Sequence, residues 1–173
     1  RAIPNAIGIK LGNHRLNVVC VVGDGDCYGE GGNHLLHAVR GNHDIKVIVH
    51  DNRVYGLTTG QTSPTSPQGY KSKSTPAGVI EEPFNALALS IMQGASFVAQ
   101  GFASDIPHLS GIFEKALQHT GFALINVLQP CVTFNKINTY QFYRQRVFKL
   151  ENTAYDLKNK QQALALALSS ENK

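Results

Sequence analysis

The chain has no tryptophan, a single methionine and only three cysteines in 173 residues, and these scarcities close off several classes of protein. Cys20, Cys27 and Cys131 are odd in number and widely spaced. A disulfide framework is therefore excluded, and a reducing compartment, the cytoplasm, is expected. Charged residues make up only 16% of the chain against 42% hydrophobic, a balance that supplies a core and excludes a disordered polymer. No apolar stretch approaches the roughly 18 residues needed to span a bilayer. The N-terminus, Arg1-Ala2-Ile3-Pro4, lacks the basic and then apolar pattern of a signal peptide, so no membrane association is expected. The cationic surplus is small, net +4, and scattered. Its one local cluster, Arg144, Arg146 and Lys149, has no RNA-binding motif beside it and reads as solvated surface rather than a nucleic-acid site. The first residue is Arg rather than Met, so the chain is expected to be a fragment or a processed product.

The length suits one domain, residues 1–173, with a real hydrophobic core. A short helix is expected within Arg1–Asn13. Leu16–Val22 is a continuous apolar, β-branched run, as in a strand buried on both faces of a parallel sheet. The stretch from Gly23 to Gly32 holds five glycines and is read as irregular. Asn33–Arg40 follows as a helix with Leu35, Leu36 and Val39 on one face, stopped by Gly41-Asn42. Ile45–His50 is a second buried strand, which completes a right-handed βαβ unit. The stretch Tyr55–Glu82 is rich in Gly, Ser, Thr and Pro, a long connection of the kind that is functional or disordered in compact domains. Pro83 can open a helix running to Met92, with Gly94 beyond its end. A short strand is expected at Ser96–Ala99. Asp105–Thr120 has the i, i+3, i+4, i+7 pattern in Leu109, Ile112, Phe113, Ala116 and Leu117, with Gly121 as the stop. Phe122–Leu128 is another buried strand, ended by Pro130, and Tyr155–Leu168 is a terminal helix whose last five following residues fray. Together these make an α/β domain: a three-layer, mostly parallel sheet with helices on both faces.

Both early strands end in hard oxygen donors, Gly23-Asp24-Gly25-Asp26 after the first and Asp51-Asn52 after the second. In open parallel sheets ligands bind outside the carboxyl ends of the strands. A carboxylate and an amide carbonyl there suit Mg²⁺, which usually completes its shell with substrate phosphates. Backbone N–H groups of a glycine-rich turn and a helix N-terminus can cradle the anion. An Asp-Gly pair also makes ordinary turns, but the Asn at matching depth on the next strand favours a metal-bridged diphosphate. Competing motifs fail on spacing. A dinucleotide fingerprint starting at Gly23 would need glycine where Tyr28 stands, and no P-loop signature occurs. Asp24-x-Asp26 lacks the later ligands of an EF-hand. His34 and His37, with His43 and His50 nearby, have no carboxylate or Cys pattern to complete a tetrahedral zinc set and read as polar helix-face or cofactor-facing groups. Cys131, after Gln129-Pro130 at a strand end, is either buried filler or a ligand, and composition leaves both open.

Taken together, Gly23-Asp24-Gly25-Asp26, Gly31-Gly32-Asn33-His34, Asp51 to Thr58, Gly60-Gln61-Thr62-Ser63-Pro64-Thr65 and Pro130 to Asn135 strongly resemble the thiamine-diphosphate-binding β subunit of 2-oxoacid:ferredoxin oxidoreductases. The resemblance covers almost the whole chain. It implies a thiamine-diphosphate-binding fold, with Asp24, Asn52 and the backbone carbonyl of Val54 holding Mg²⁺, and with Gly25, Asp26, Gly56 and Leu57 contacting thiamine diphosphate. Cys131 resembles the fourth cysteine ligand of a 4Fe–4S cluster. The implied reaction is oxidative decarboxylation of a 2-oxoacid, such as 2-oxoglutarate or pyruvate, with coenzyme A to acyl-CoA, CO₂ and reduced ferredoxin. The partners it implies are an α subunit that completes the pocket and ferredoxin, so an exposed apolar face is expected, as is mobility of the Thr58–Glu82 loop without the partner. Family members carry a Cys-x-x-Cys pair and a further Cys in an upstream segment that this chain lacks. Cys20 and Cys27 cannot substitute for them. Glu30 stands where an apolar residue is usual, and Thr59 occupies a position tied to substrate choice. Two other readings stay open: a non-catalytic binding module, and a thiamine-diphosphate enzyme without a cluster.

Overall fold

The computed structural model describes residues 1–169. The chain runs through α1 (Ala2–Gly12), β1 (Val19–Gly23), a π-helical turn (Gly25–Glu30), α2 (Gly32–Arg40) and β2 (Lys46–Asp51). It continues through β3 (Val54–Tyr55), β4 (Gln61–Thr62), α3 (Ala86–Gln93), β5 (Phe97–Phe102) and α4 (Ile106–Gln118). It ends with β6 (Ala123–Leu128), α5 (Tyr140–Arg144), a 3-10 turn (Leu150–Asn152) and α6 (Lys160–Ser169). Of the tail expected to fray, residues 170–173 lie outside the described residues.

The β-branched runs become neighbouring strands of one four-stranded parallel sheet, ordered β1-β2-β6-β5. The sheet is sandwiched as the alternation of strands and amphipathic helices requires. On one face α1, α2 and α3 pack over Cys20, Val47, Val49, Phe122 and Leu124. On the other, Ile112 and Ala116 of α4 cover Ala123, Ile125 and Val127. The three-layer α/β expectation holds.

Burial of the first strand on both faces does not. Val19 and Val21 are 42% and 57% exposed, because α4 packs on β5 and β6 and, among the described residues, no helix covers that side of β1. The run of valines records only that the residues are β-branched, not how many layers cover them. The long connection contains a small antiparallel ribbon, β3 with β4, pairing Val54 with Thr62 and Tyr55 with Gln61.

Three local expectations are corrected. The glycine-rich stretch is not irregular but forms a π-helical turn that leads directly into α2. None of those five glycines has a positive φ, and three of them, Gly25, Gly29 and Gly31, are needed for close packing. A Cβ on Gly25 would overlap the Tyr55 ring, and one on Gly31 would stand 2.6 Å from the Asp26 carbonyl oxygen. α3 starts at Ala86 rather than at Pro83, because the Asn85 side chain accepts from the Ala88 N–H at 2.8 Å and caps the helix there. It stops at Gly94, φ 96°, the left-handed position that glycine tolerates. The terminal helix begins only at Lys160.

At the amino ends of the strands Lys46, 3% exposed, is a buried tie. Its Nζ donates to Asp44 Oδ1 at 2.6 Å and to the carbonyls of His119 and Gly121 at 2.7 and 2.8 Å. Lys10 of α1 meets the other oxygen of Asp44 at 2.7 Å. These bonds tie the start of β2 to the segment that leads into β6.

Candidate functional site

Strand register builds the site. Gly23, the last residue of β1, pairs with His50 of β2, so the next residues on each strand, Asp24 and Asp51, emerge side by side at the carboxyl edge of the sheet. Both are buried, Asp24 to 1% exposure and Asp51 to 5%. Two hydroxyls from the turn after β4 reach across: Ser63 Oγ and Thr65 Oγ1 each donate to Asp24 Oδ2 at 2.6 Å. Thr65 Oγ1 also lies 2.9 Å from Asp51 Oδ1. The network then runs inward, with Asn126 Nδ2 donating to Asp51 Oδ2 at 3.1 Å and the Tyr28 hydroxyl donating to Asn126 Oδ1 at 2.6 Å.

Burial, and next the charge of Asp51, push the Asp24 carboxyl up from 3.8 to about 6, against the hydroxyl bonds that favour its anion. No described lysine, arginine or histidine forms an ion pair with either carboxylate; the four ion pairs all lie elsewhere. Two buried acidic side chains without a cation call for one.

The remaining expected ligands sit close by in sequence and structure. Asn52 follows β2 directly. Its Oδ1 accepts from the Val54 N–H at 3.0 Å, and its own carbonyl accepts from Asn135 Nδ2 at 3.2 Å. Val54 is buried in β3. Among the described residues no three His, Cys, Asp or Glu side chains gather as a metal shell. A set of one carboxylate, one amide oxygen and one backbone carbonyl fits a hard cation that takes its other ligands from phosphate and water.

Gly25 is buried in the π-helical turn, under Tyr55, whose hydroxyl donates to the Gly25 carbonyl at 3.3 Å. Asp26 is exposed and accepts from the Gly23 N–H at 3.2 Å through Oδ2, which closes the turn. Gly56 has open space where a side chain would stand, and Leu57 is 98% exposed.

Cys131 stands apart from the other thiols. It packs beside Val54, Tyr70, Val79 and Phe134, whereas Cys20 and Cys27 belong to the main core. Burial raises both core thiols, Cys27 to about 12, so neither is poised as a thiolate ligand. The cysteines of this chain do not together make a cluster site. His34 and His37 are exposed on α2.

Sequence reasoning placed Asp24 at the site but gave no role to Ser63, Thr65, Asn126 or Tyr28. Ser63 and Thr65 lie 39 and 41 residues from Asp24. The one available signal was their position in the Gly60–Thr65 motif. Arg53 also belongs to this region: it takes a left-handed φ of 61° and, with Asp51, Thr65 and Tyr143, lines a cavity of about 1250 Å³.

The model of the C-terminal TPP-binding domain of thiamine pyrophosphate enzymes matches residues 1–127. That of the C-terminal region of the pyruvate ferredoxin oxidoreductase beta subunit matches residues 131–173. A 2-oxoacid:ferredoxin oxidoreductase subunit beta from Saccharolobus solfataricus is 51% identical over 151 residues, 87% of this chain and 50% of that protein. A 2-oxoglutarate synthase subunit KorB from Archaeoglobus fulgidus is 43% identical over 79% of this chain and 51% of its own length. The chain thus spans about half the length of the curated relatives it matches. Among solved structures, the 2-oxoglutarate:ferredoxin oxidoreductase from Magnetococcus marinus, with 2-oxoglutarate, coenzyme A and succinyl-CoA bound, superposes with a TM-score of 0.94 at 38% identity, over 97% of this chain and 57% of that one. The chain therefore belongs to the thiamine pyrophosphate enzymes, as their C-terminal cofactor-binding domain, and its relatives there are β subunits of 2-oxoacid:ferredoxin oxidoreductases.

Proposed function

We propose that this chain is the cofactor-binding part of a 2-oxoacid:ferredoxin oxidoreductase β subunit, working with an α subunit in the oxidative decarboxylation of a 2-oxoacid such as 2-oxoglutarate or pyruvate. Coenzyme A takes up the acyl group, CO₂ leaves, and ferredoxin accepts the electrons. The observation that carries this reading is the buried carboxylate of Asp24, set beside Asp51 with no ion-pair partner among the described residues. Asp24, the Asn52 amide oxygen and the Val54 carbonyl are the proposed Mg²⁺ ligands, and Gly25, Asp26, Gly56 and Leu57 the contacts to thiamine diphosphate. Bound thiamine diphosphate supplies the electron sink for decarboxylation.

The residues of the chain hold and orient. Asp24 contributes a full negative charge in a dry setting, where its attraction to a divalent cation is strong. The π-helical turn packs Gly25 directly beneath the Tyr55 ring, and Leu57 offers exposed apolar surface one residue after Gly56. Asn52 must release the Val54 N–H or share its oxygen if the amide is to face the cation. Cys131 is proposed as one ligand of a 4Fe–4S cluster whose other ligands come from outside these 173 residues.

The test is calorimetric titration of thiamine diphosphate and Mg²⁺ into the full-length subunit with its partner. The Asp24→Ala variant is expected to lose binding by about a hundredfold or more, as the loss of a charged ligand from a buried site implies. Affinity equal to that of the parent protein would sink the assignment.

A further inference from the structure

Three chain segments supply the proposed Mg²⁺ ligands: the end of β1, the end of β2 and the start of β3. One short segment touches all three. Ser63 and Thr65 hold Oδ2 of Asp24. Thr65 also meets Asp51, the residue before Asn52. Ser66 Oγ donates to the carbonyl of Arg53, the residue after Asn52, at 2.7 Å. Thr62 pairs with Val54 across the ribbon. Ser63, Thr65 and Ser66 are 7%, 4% and 1% exposed, so their hydroxyls do not trade these bonds for water. The turn is closed on itself as well, because the Ser63 N–H donates to Ser66 Oγ at 2.9 Å.

We infer that Ser63-Pro64-Thr65-Ser66 is the positioning clasp of the metal site, with the Thr65 hydroxyl as its pivot. The inference rests on the proposed Mg²⁺ and thiamine diphosphate binding and assigns a task to residues outside the ligand set. Both hydroxyls fall on Oδ2 of Asp24 and restrain the carboxylate. Thr65 Oγ1, whose single proton goes to Asp24, also lies 2.9 Å from Asp51 Oδ1, so the Asp24 turn and the β2 end meet at one side chain. Ser63 and Thr65 are positioning residues and do not themselves ligate.

Spacing matters more to one ion than to another. Mg²⁺ demands near-ideal octahedral geometry at about 2.0–2.1 Å, whereas Ca²⁺ accepts irregular shells at about 2.3–2.6 Å. Loosening the clasp should therefore cost Mg²⁺ more than Ca²⁺. A general loss of folding costs both alike.

The experiment titrates thiamine diphosphate by calorimetry into the full-length subunit with its partner, in Mg²⁺ and separately in Ca²⁺. Thr65→Val is expected to weaken binding about tenfold or more in Mg²⁺ and less than about threefold in Ca²⁺, a charge-assisted hydrogen bond being of that size. Thr65→Ser, which keeps the hydroxyl, is expected to restore the parent preference between the ions. If Thr65→Val does not fold, Ser63→Ala removes one donor, leaves the pivot in place and is read by the same ratio, with a smaller shift in the same direction. An unchanged Mg²⁺-to-Ca²⁺ ratio in the folded variants, whether or not both affinities fall together, overturns the clasp. If the parent protein itself binds no thiamine diphosphate with either ion, the proposed function fails and takes the clasp with it.

Discussion

Replacing Asp24 with asparagine separates the electrostatic cost of the site from its shape. The amide keeps an oxygen that can accept from Ser63 and Thr65 but removes the charge. In the folded chain the carboxyl titrates at about 6 instead of 3.8, through burial first and Asp51 second. Between those two values the folded chain holds a proton that the unfolded chain has released, so stability falls as the pH rises through the window. A gap of about two pH units amounts to about 3 kcal/mol. Without cofactor, Asp24→Asn is therefore expected to be more stable than the parent by up to about 3 kcal/mol at pH 7.5, and to lose that advantage as the pH falls toward 4. For a domain of this size the difference at neutral pH is about 6–12 °C in Tm. Thermal unfolding of both proteins from pH 4 to 7.5, in metal-free buffer, measures it. Adding Mg²⁺ and thiamine diphosphate at a hundred times Kd should raise the parent by about 2.7 kcal/mol and the variant hardly at all. An asparagine variant less stable than the parent at pH 7.5 without cofactor would refute the argument that Asp24 is a strained, cation-seeking charge.

Two further outcomes test the frame around the site. Lys46→Met removes the donor shared by Asp44, His119 and Gly121, leaving two carbonyls without it and Asp44 with only Lys10 and the Gly121 N–H. A loss of about 2–4 kcal/mol in chemical denaturation is expected, and a loss within error would mean that water replaces the ammonium freely. Burial raises the Asp44 carboxyl, but the Lys10 and Lys46 contacts outweigh it and hold it below 3.8. Its contribution is thus present above about pH 4 and lost below that, and the effect of Lys46→Met should shrink in acid. Tyr28→Phe leaves Asn126 Oδ1 without its donor. A cost of about 1–3 kcal/mol is expected, measured by the same unfolding method, and an unchanged midpoint would remove Tyr28 from the network.

Much of the site's location was legible because it follows from strand ends. Apolar runs that stop abruptly at Gly23 and at Asp51 place oxygen donors at one edge of a parallel sheet, whatever the helices do. Helix α4 was legible for a local reason as well: Asp105 accepts from the His108 N–H at 3.2 Å and caps the apolar stripe that follows. The π-helical turn was not, since five glycines in ten residues look like a loop until Tyr55, thirty residues away from Gly25, is packed against them. Nor was the late start of α3, where the Asn85 cap outcompetes the proline two residues earlier.

The sequence by itself determined the alternation of strands and helices, the family, and the chemistry available at the two strand ends, because these depend on neighbours in the chain and on residue type. Only the tertiary structure decided that Asp51 stands beside Asp24, that Ser63 and Thr65 grip the same carboxylate, and that Val19 and Val21 lie outside the covered part of the sheet. Those facts arise from register and layer packing between segments tens of residues apart, and no local pattern carries them.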